Sequence, residues 1–104
     1  MNELNRFEDL RLKVIEWASK KGIFEKGTPE AQAWKTLEEA QEVLDGILNQ
    51  DKEEILDGIG DTIVTLIIQA EMQGVNPLDC LETAYNVIAK RKGKMIDGQF
   101  VKES

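Results

Sequence analysis

The sequence predicts an all-α protein, folded as a four-helix bundle in a single domain. Apolar residues recur at helical spacing in four successive stretches. Residues that cap or end helices separate these stretches, and no stretch reads as a convincing strand. Within residues 1–104 we therefore expect four helices, at about 3–21, 29–49, 52–73 and 77–92, followed by an irregular tail over 93–104.

The first helix is indicated by apolar residues at helical spacing, namely Leu4, Phe7, Val14, Ile15 and Ala18. Gly22 should end it, because glycine readily adopts the left-handed conformation that follows many helices.

The second helix should begin at Pro29, with Thr28 as its cap, since proline at the first helical position loses no hydrogen bond. Asp51, followed three residues later by Glu54, is typical of a capping box and predicts the start of the third helix. Asn76 before Pro77 repeats the pattern and predicts the fourth.

Composition limits the function. Twenty acids against 13 bases give a formal charge of -7 over 104 residues, which argues against a nucleic-acid polymer as partner. The single cysteine, Cys80, cannot form an internal disulfide, and the start has no basic, apolar leader, so a cytoplasmic location is the expectation. No apolar run approaches the ~20 residues that span a bilayer, so no membrane role is expected.

The second helix separates apolar and acidic side chains. Its apolar stripe comprises Leu37, Ala40, Leu44, Ile47 and Leu48. Its acidic residues fall almost opposite, and they are Glu38, Glu39 and Glu42. Considered alone, these glutamates are more often a solvated helix face than a site.

The third helix is different, because apolar residues cover roughly two thirds of its circumference. Such a helix needs cover from several sides, which favours assembly at least as a dimer. Asp57 and Asp61 lie inside this apolar arc. Placement near the helix start could account for Asp57, but Asp61 is too far along the helix. An ionised aspartate in such surroundings must be paired, hydrogen-bonded or metal-bound.

The two acidic clusters together predict a hard-metal site. Glu39 and Glu42 are three residues apart and Asp57 and Asp61 four apart, so each pair presents two carboxylates from one helix face. Ligation by oxygen alone selects Mg²⁺ or Mn²⁺ over zinc, and the chain has no histidine to build a di-iron bundle.

These residues resemble a family. The pattern Lys35-x-x-Glu38-Glu39-x-x-Glu42, followed by Gly58-Ile59-Gly60-Asp61 ahead of an apolar helix, is similar to the MazG-like all-α nucleoside triphosphate pyrophosphohydrolases of the phage and Gram-positive type. Their signature is Glu-Glu-x-x-Glu followed by Glu-x-x-Asp. The likeness extends from Trp17 to the ending Asn86-x-x-x-x-Arg91-Lys92-Gly93-Lys94.

The resemblance implies Mg²⁺-dependent attack of water at the α-phosphate of a (deoxy)nucleoside triphosphate, which gives the monophosphate and pyrophosphate, with nucleotide-pool cleansing as one candidate role. It implies a homodimer or homotetramer. Glu39, Glu42 and Asp61 would be metal ligands, with Glu38 as a ligand or as a base beside Glu39. Gly58 stands where the family has a glutamate, and Asp57 is taken as the substitute ligand.

The substrate-binding candidates are mostly basic. Lys35, one turn before Glu39, is the best placed to hold phosphate. The others are Asn86, Lys90, Arg91 and Lys94, with Trp17 as a residue that stacks on the base. Surface charge, or packing for the tryptophan, is the alternative role for each. Two other functions stay open: a non-catalytic helical adaptor, and a degenerate family member that binds nucleotide or metal without turnover.

Overall fold

The computed structural model describes residues 2–103, apart from the side chain of Leu4. Five helices precede one β-hairpin along the chain. They are α1 (Glu3–Lys20), α2 (Ile23–Lys26), α3 (Pro29–Leu48), α4 (Lys52–Met72) and α5 (Pro77–Ile88), and the strands are β1 (Gly93–Ile96) and β2 (Gln99–Lys102). The prediction of an all-α fold class is confirmed, and in residues 2–103 the short helix α2 and the hairpin are additions to the four predicted helices.

The caps that the sequence predicts are formed. The side chains of Thr28 and Asp51 accept the backbone N–H groups of Ala31 and Glu54, at 3.1 Å and 3.2 Å. Asn76 accepts the N–H of Leu78 at 2.8 Å. These bonds satisfy N–H groups that a helix leaves without partners at its start, so the boundaries are set locally.

The α3–α4 pair is the centre of the molecule, and two glycines allow its helices to approach closely. A Cβ atom at Gly46 would lie 2.9 Å from the backbone N of Ile55, and one at Gly58 would lie 2.9 Å from Cγ2 of Val43. Carbon atoms normally keep about 3.5–4.0 Å apart. At both positions a side chain larger than that of glycine would press on the facing helix, so the close packing of α3 and α4 depends on the two glycines.

Polar bonds fix the register of this pair. The Thr36 hydroxyl donates to the hydroxyl of Thr65 at 2.9 Å, and the Gln32 amide donates to the Thr65 carbonyl at 3.2 Å. Farther along, the Gln69 amide donates to the carbonyl of Pro29 at 2.9 Å. Because the helices run antiparallel, this register sets the acidic residues of α3 beside the middle of α4.

The buried apolar core of the described chain is small and lies mainly on α4, with Ala18 of α1. Its members are Ala18, Ile67, Ile68 and Ala70. The apolar stripe of α3 stays largely exposed within one chain, since Leu37, Leu44 and Leu48 are 60%, 48% and 71% exposed. The solvated face expected for the α3 glutamates considered alone holds for Glu38 and Glu42, which are exposed, whereas Glu39 is buried.

The C-terminal region differs most from expectation. The last helix ends at Ile88 rather than near residue 92. The predicted irregular tail is also wrong, since β1 pairs antiparallel with β2 and Met95 faces Phe100. Asp97 and Gly98 form the connection with positive φ values of 50° and 82°, as a tight hairpin turn requires.

Among the described residues, no helix is long and apolar enough to cross a membrane.

Candidate metal centre

Three of the predicted acidic residues meet between α3 and α4. Glu39, Glu42 and Asp61 each offer a carboxylate oxygen, and these oxygens lie within 4.8 Å of one another. The two glutamates are one turn apart on α3, while Asp61 comes from α4 opposite them. The grouping follows from the helix register and from the close approach at Gly58.

Glu39 is the most unusual member of this carboxylate cluster. The residue is 9% exposed, and its Oε2 has no hydrogen-bond partner among the described residues. Its Oε1 lies 3.4 Å from Nζ of Lys35. A buried carboxylate oxygen without a partner is costly, since it has lost its water and gained no donor. A cation bound at this oxygen would remove that cost.

The cluster is electrostatically strained. The pKa of Glu42 is raised above its ordinary value, chiefly by the adjacent carboxylate of Glu39. The pKa of Asp61 is also raised, first by burial and then by the negative charges of Asp57 and Glu39. Both raised pKa values mean that the neighbouring negative charges and burial disfavour the ionised form of these two carboxyl groups. A bound cation would favour the ionised form and lower both pKa values.

Lys35 is the cation that opposes these charges. Its Nζ lies 3.1 Å from Oε2 of Glu38 and 3.4 Å from Oε1 of Glu39. The hydrogen bond and charge of Glu38, followed by those of Glu39, raise the pKa of this ammonium group. Lys35 is exposed, so it can turn toward a ligand.

Glu38 and Asp57 lie at the edge of the cluster. Both are exposed, and neither is among the three residues whose oxygens converge. Asp57 acts on Asp61 from one turn earlier on α4. The neighbouring position, Gly58, packs against Val43: a Cβ there would lie 2.9 Å from Cγ2 and 3.1 Å from the backbone N of Val43, so α3 would have to shift to admit a glutamate.

A cavity of about 330 Å³ adjoins Asp61, between α1 and α4. It is lined by Leu10, Lys13, Val14, Trp17, Asp61 and Val64. Trp17 therefore lies near the acidic cluster, on the wall of a mostly apolar space of the size that small ligands occupy. Lys13 was missed from the sequence, although it lies one turn before Trp17 on the same helix.

The remaining substrate-binding candidates lie away from the cluster. Asn86 is on α5, Lys90 and Arg91 follow that helix, and Lys94 is on β1. Of the described cations, only Lys35 acts on both Glu42 and Asp61. Within one chain, the structure does not bring these four residues to the carboxylates.

The donor set fits a hard divalent cation. Three carboxylates with no nitrogen or sulfur ligand suit Mg²⁺ or Mn²⁺, and the unpartnered oxygen of Glu39 supplies a position for one.

Comparison with known protein families identifies the family of this chain. A model of the MazG nucleotide pyrophosphohydrolase domain matches residues 27–95. The chain belongs to this family. The MazG match runs from the start of α3 into β1, so it contains the whole carboxylate cluster.

One curated relative is an uncharacterized 18.2 kDa protein from the rep-hol intergenic region of Haemophilus phage HP1. It is 30% identical over 63 residues, which are 61% of this MazG chain and 39% of the phage protein. The chain thus spans about two fifths of that relative's length. No solved structure matches the chain.

Proposed function

We propose that this MazG chain hydrolyses a nucleoside triphosphate to the monophosphate and pyrophosphate, with Mg²⁺ or Mn²⁺ as its cofactor. Membership of a nucleotide pyrophosphohydrolase family supports the reaction class. The observation that carries the proposal for this chain is Glu39, whose buried, unpartnered oxygen lies among three converging carboxylates.

Glu39, Glu42 and Asp61 would hold the metal, and Asp57 would act from one turn away as the ligand that replaces the family glutamate. A bound divalent cation supplies charge neutralisation of the phosphates and a water of lowered pKa. Glu38, an exposed carboxylate next to Glu39 in the chain, would accept a proton from that water.

Lys35 would hold the phosphate tail. It is one turn before Glu39 and already contacts two carboxylates of this region, so an anionic substrate would meet it at the edge of the cluster. Moving from Glu38 to a phosphate oxygen would also free Glu38 to act as a base.

The cavity beside Asp61 would take the nucleoside. Trp17 offers a ring against which a base can stack, and the remaining wall is largely apolar. Asn86, Lys90, Arg91 and Lys94 would contact sugar or phosphate only from another subunit, consistent with the proposed homodimer or homotetramer.

The test is product analysis with a panel of canonical and modified nucleoside triphosphates and Mg²⁺. We expect pyrophosphate rather than orthophosphate, with loss of turnover in Glu39→Gln and Asp61→Asn. The control is Glu53→Gln, which removes an exposed acid from the same helix as Asp61. Metal binding without turnover on the whole panel would favour a degenerate member, and no binding of metal or nucleotide would favour an adaptor.

A further inference from the structure

The C-terminal hairpin carries four large apolar side chains with little cover. Met95 and Phe100 are 66% and 54% exposed, and Ile96 and Val101 are 41% and 43% exposed. An isolated two-stranded hairpin is at best marginally stable in water, so this one needs a further layer to pack on. Its own helices supply little, since the main packing partner of each strand is the other strand.

The two faces of the hairpin differ. Met95 and Phe100 are cross-strand partners and therefore lie on one face, together with Lys102. The Phe100 ring covers Gly93, where an added Cβ would come within 2.9 Å of Cε2 of that ring. This face presents the larger apolar side chains, so it is the one with most to gain from burial.

The exposed stripe on α3 is long enough to hold the hairpin. Here the stripe includes Trp34 as well as Leu37, Leu44 and Leu48, which share one face of that helix, and the four residues are 65%, 60%, 48% and 71% exposed. From the first to the last is about 21 Å along the axis at 1.5 Å per residue. A four-residue strand extends about 13 Å, so the hairpin fits within the stripe.

The distribution of charge favours the C-terminal segment of a second copy, over a second α3 helix, as the partner of the stripe. Residues 89–104 carry five bases and two acids, whereas the rest of the chain carries eight bases and 18 acids. The stripe is bordered by Glu38 and Asp45. Two such stripes packed on each other would bring acids together, while the C-terminal segment is complementary to that border, through Lys94 and Lys102 of the hairpin and the three bases at 90–92 that lead into it.

We propose that the hairpin is an exchanged arm, whose Met95–Phe100 face packs on the exposed α3 stripe of a second copy of this chain. The same contact covers two apolar surfaces that a single chain leaves in water, and it pairs the basic segment of one copy with the acidic border of the other. Two-fold symmetry lets each copy give and receive one arm.

The first experiment measures the dimerisation constant of the full chain by sedimentation velocity. Phe100→Ser should weaken dimerisation by about tenfold or more, as loss of a buried aromatic anchor does. Val101→Ser is the matched control, because it removes an apolar side chain from the opposite face of the same strand. Helix content by circular dichroism reports on folding. A monomeric wild type, or equal effects of the two variants, would overturn the proposal.

The second experiment does not depend on stability. A photo-crosslinking phenylalanine analogue is placed at position 100 of an unlabelled copy, which is mixed with a ¹⁵N-labelled copy. We expect crosslinked peptides of mixed isotope content that map to residues 34–48. Crosslinks within one copy, to another element, or between two α3 helices instead would contradict the exchanged arm. Neither readout requires enzymatic activity, so failure here is distinct from failure of the proposed function.

Discussion

The glycine at position 58 offers a sharp test of how α3 and α4 pack. In Gly58→Ala, the new Cβ would lie 2.9 Å from Cγ2 and 3.1 Å from the backbone N of Val43. Overpacking of this kind costs about 1–3 kcal/mol. The change from glycine to alanine in a helix returns about 1 kcal/mol, so the net expectation is a loss of about 1 kcal/mol.

Gly60 provides the matched control. It lies two residues later on the same helix, and a Cβ there meets nothing within 4 Å. Gly60→Ala should therefore stabilise the protein by about 0.5–1 kcal/mol through helix propensity alone.

The assay is urea denaturation of both variants and the wild type at one protein concentration. The free energy of unfolding should be about 1–3 kcal/mol lower for Gly58→Ala than for Gly60→Ala, which is the overpacking cost alone. Equal stability of the two variants would refute the close approach of the helices. A loss of metal binding in Gly58→Ala is also expected, since the same approach brings Asp61 to Glu39.

Three further predictions concern the carboxylate cluster. Mg²⁺ or Mn²⁺ should raise the melting temperature, and Asp61→Asn should abolish that gain while Glu53→Gln keeps it; an equal gain in all three proteins would place the metal elsewhere. The pKa of Asp61 is raised in the folded state, mainly by burial; the metal-free protein should therefore lose stability as pH rises from the ordinary value of 3.8 toward the raised one, and pH-dependent denaturation of Asp61→Asn should show a smaller loss. Lys35→Met should weaken nucleotide binding, seen as a higher KM, without reducing the thermal shift from metal alone; a smaller metal shift would mean that Lys35 positions Glu39 instead.

Much of the fold was accessible from the sequence because its boundaries are local. Thr28, Asp51 and Asn76 each bond to the backbone of the turn that follows, so the residue types suffice to predict the helix starts. The hairpin also had a local signal, since Asp97-Gly98 between apolar residues favours a tight turn. The glycine content of residues 93–104 obscures that signal and led to the prediction of an irregular tail.

The packed face of α3 could not be predicted from hydrophobicity. The helix turns Thr36, Glu39 and Gly46 toward α4 and leaves its leucines outside. Close approach at a glycine and a hydroxyl pair decides this orientation, and neither is visible in an apolar periodicity. The sequence singled out Asp61 as the anomalous acid, whereas the most buried carboxylate is that of Glu39.

The role of position 58 was also hidden. The resemblance presents Gly58 as a missing ligand, but in the structure a Cβ there would lie only 2.9 Å from Cγ2 and 3.1 Å from the backbone N of Val43 on α3. A packing requirement between two helices leaves no trace in one sequence except the glycine itself.

The proposed reaction is tested most directly by turnover of an accepted nucleoside triphosphate with Mg²⁺ in ¹⁸O-labelled water, read by mass spectrometry of both products. We expect one labelled oxygen in the nucleoside monophosphate, none in the pyrophosphate, and no product with Asp61→Asn. Label in pyrophosphate or orthophosphate, or unchanged turnover in that variant, would contradict it.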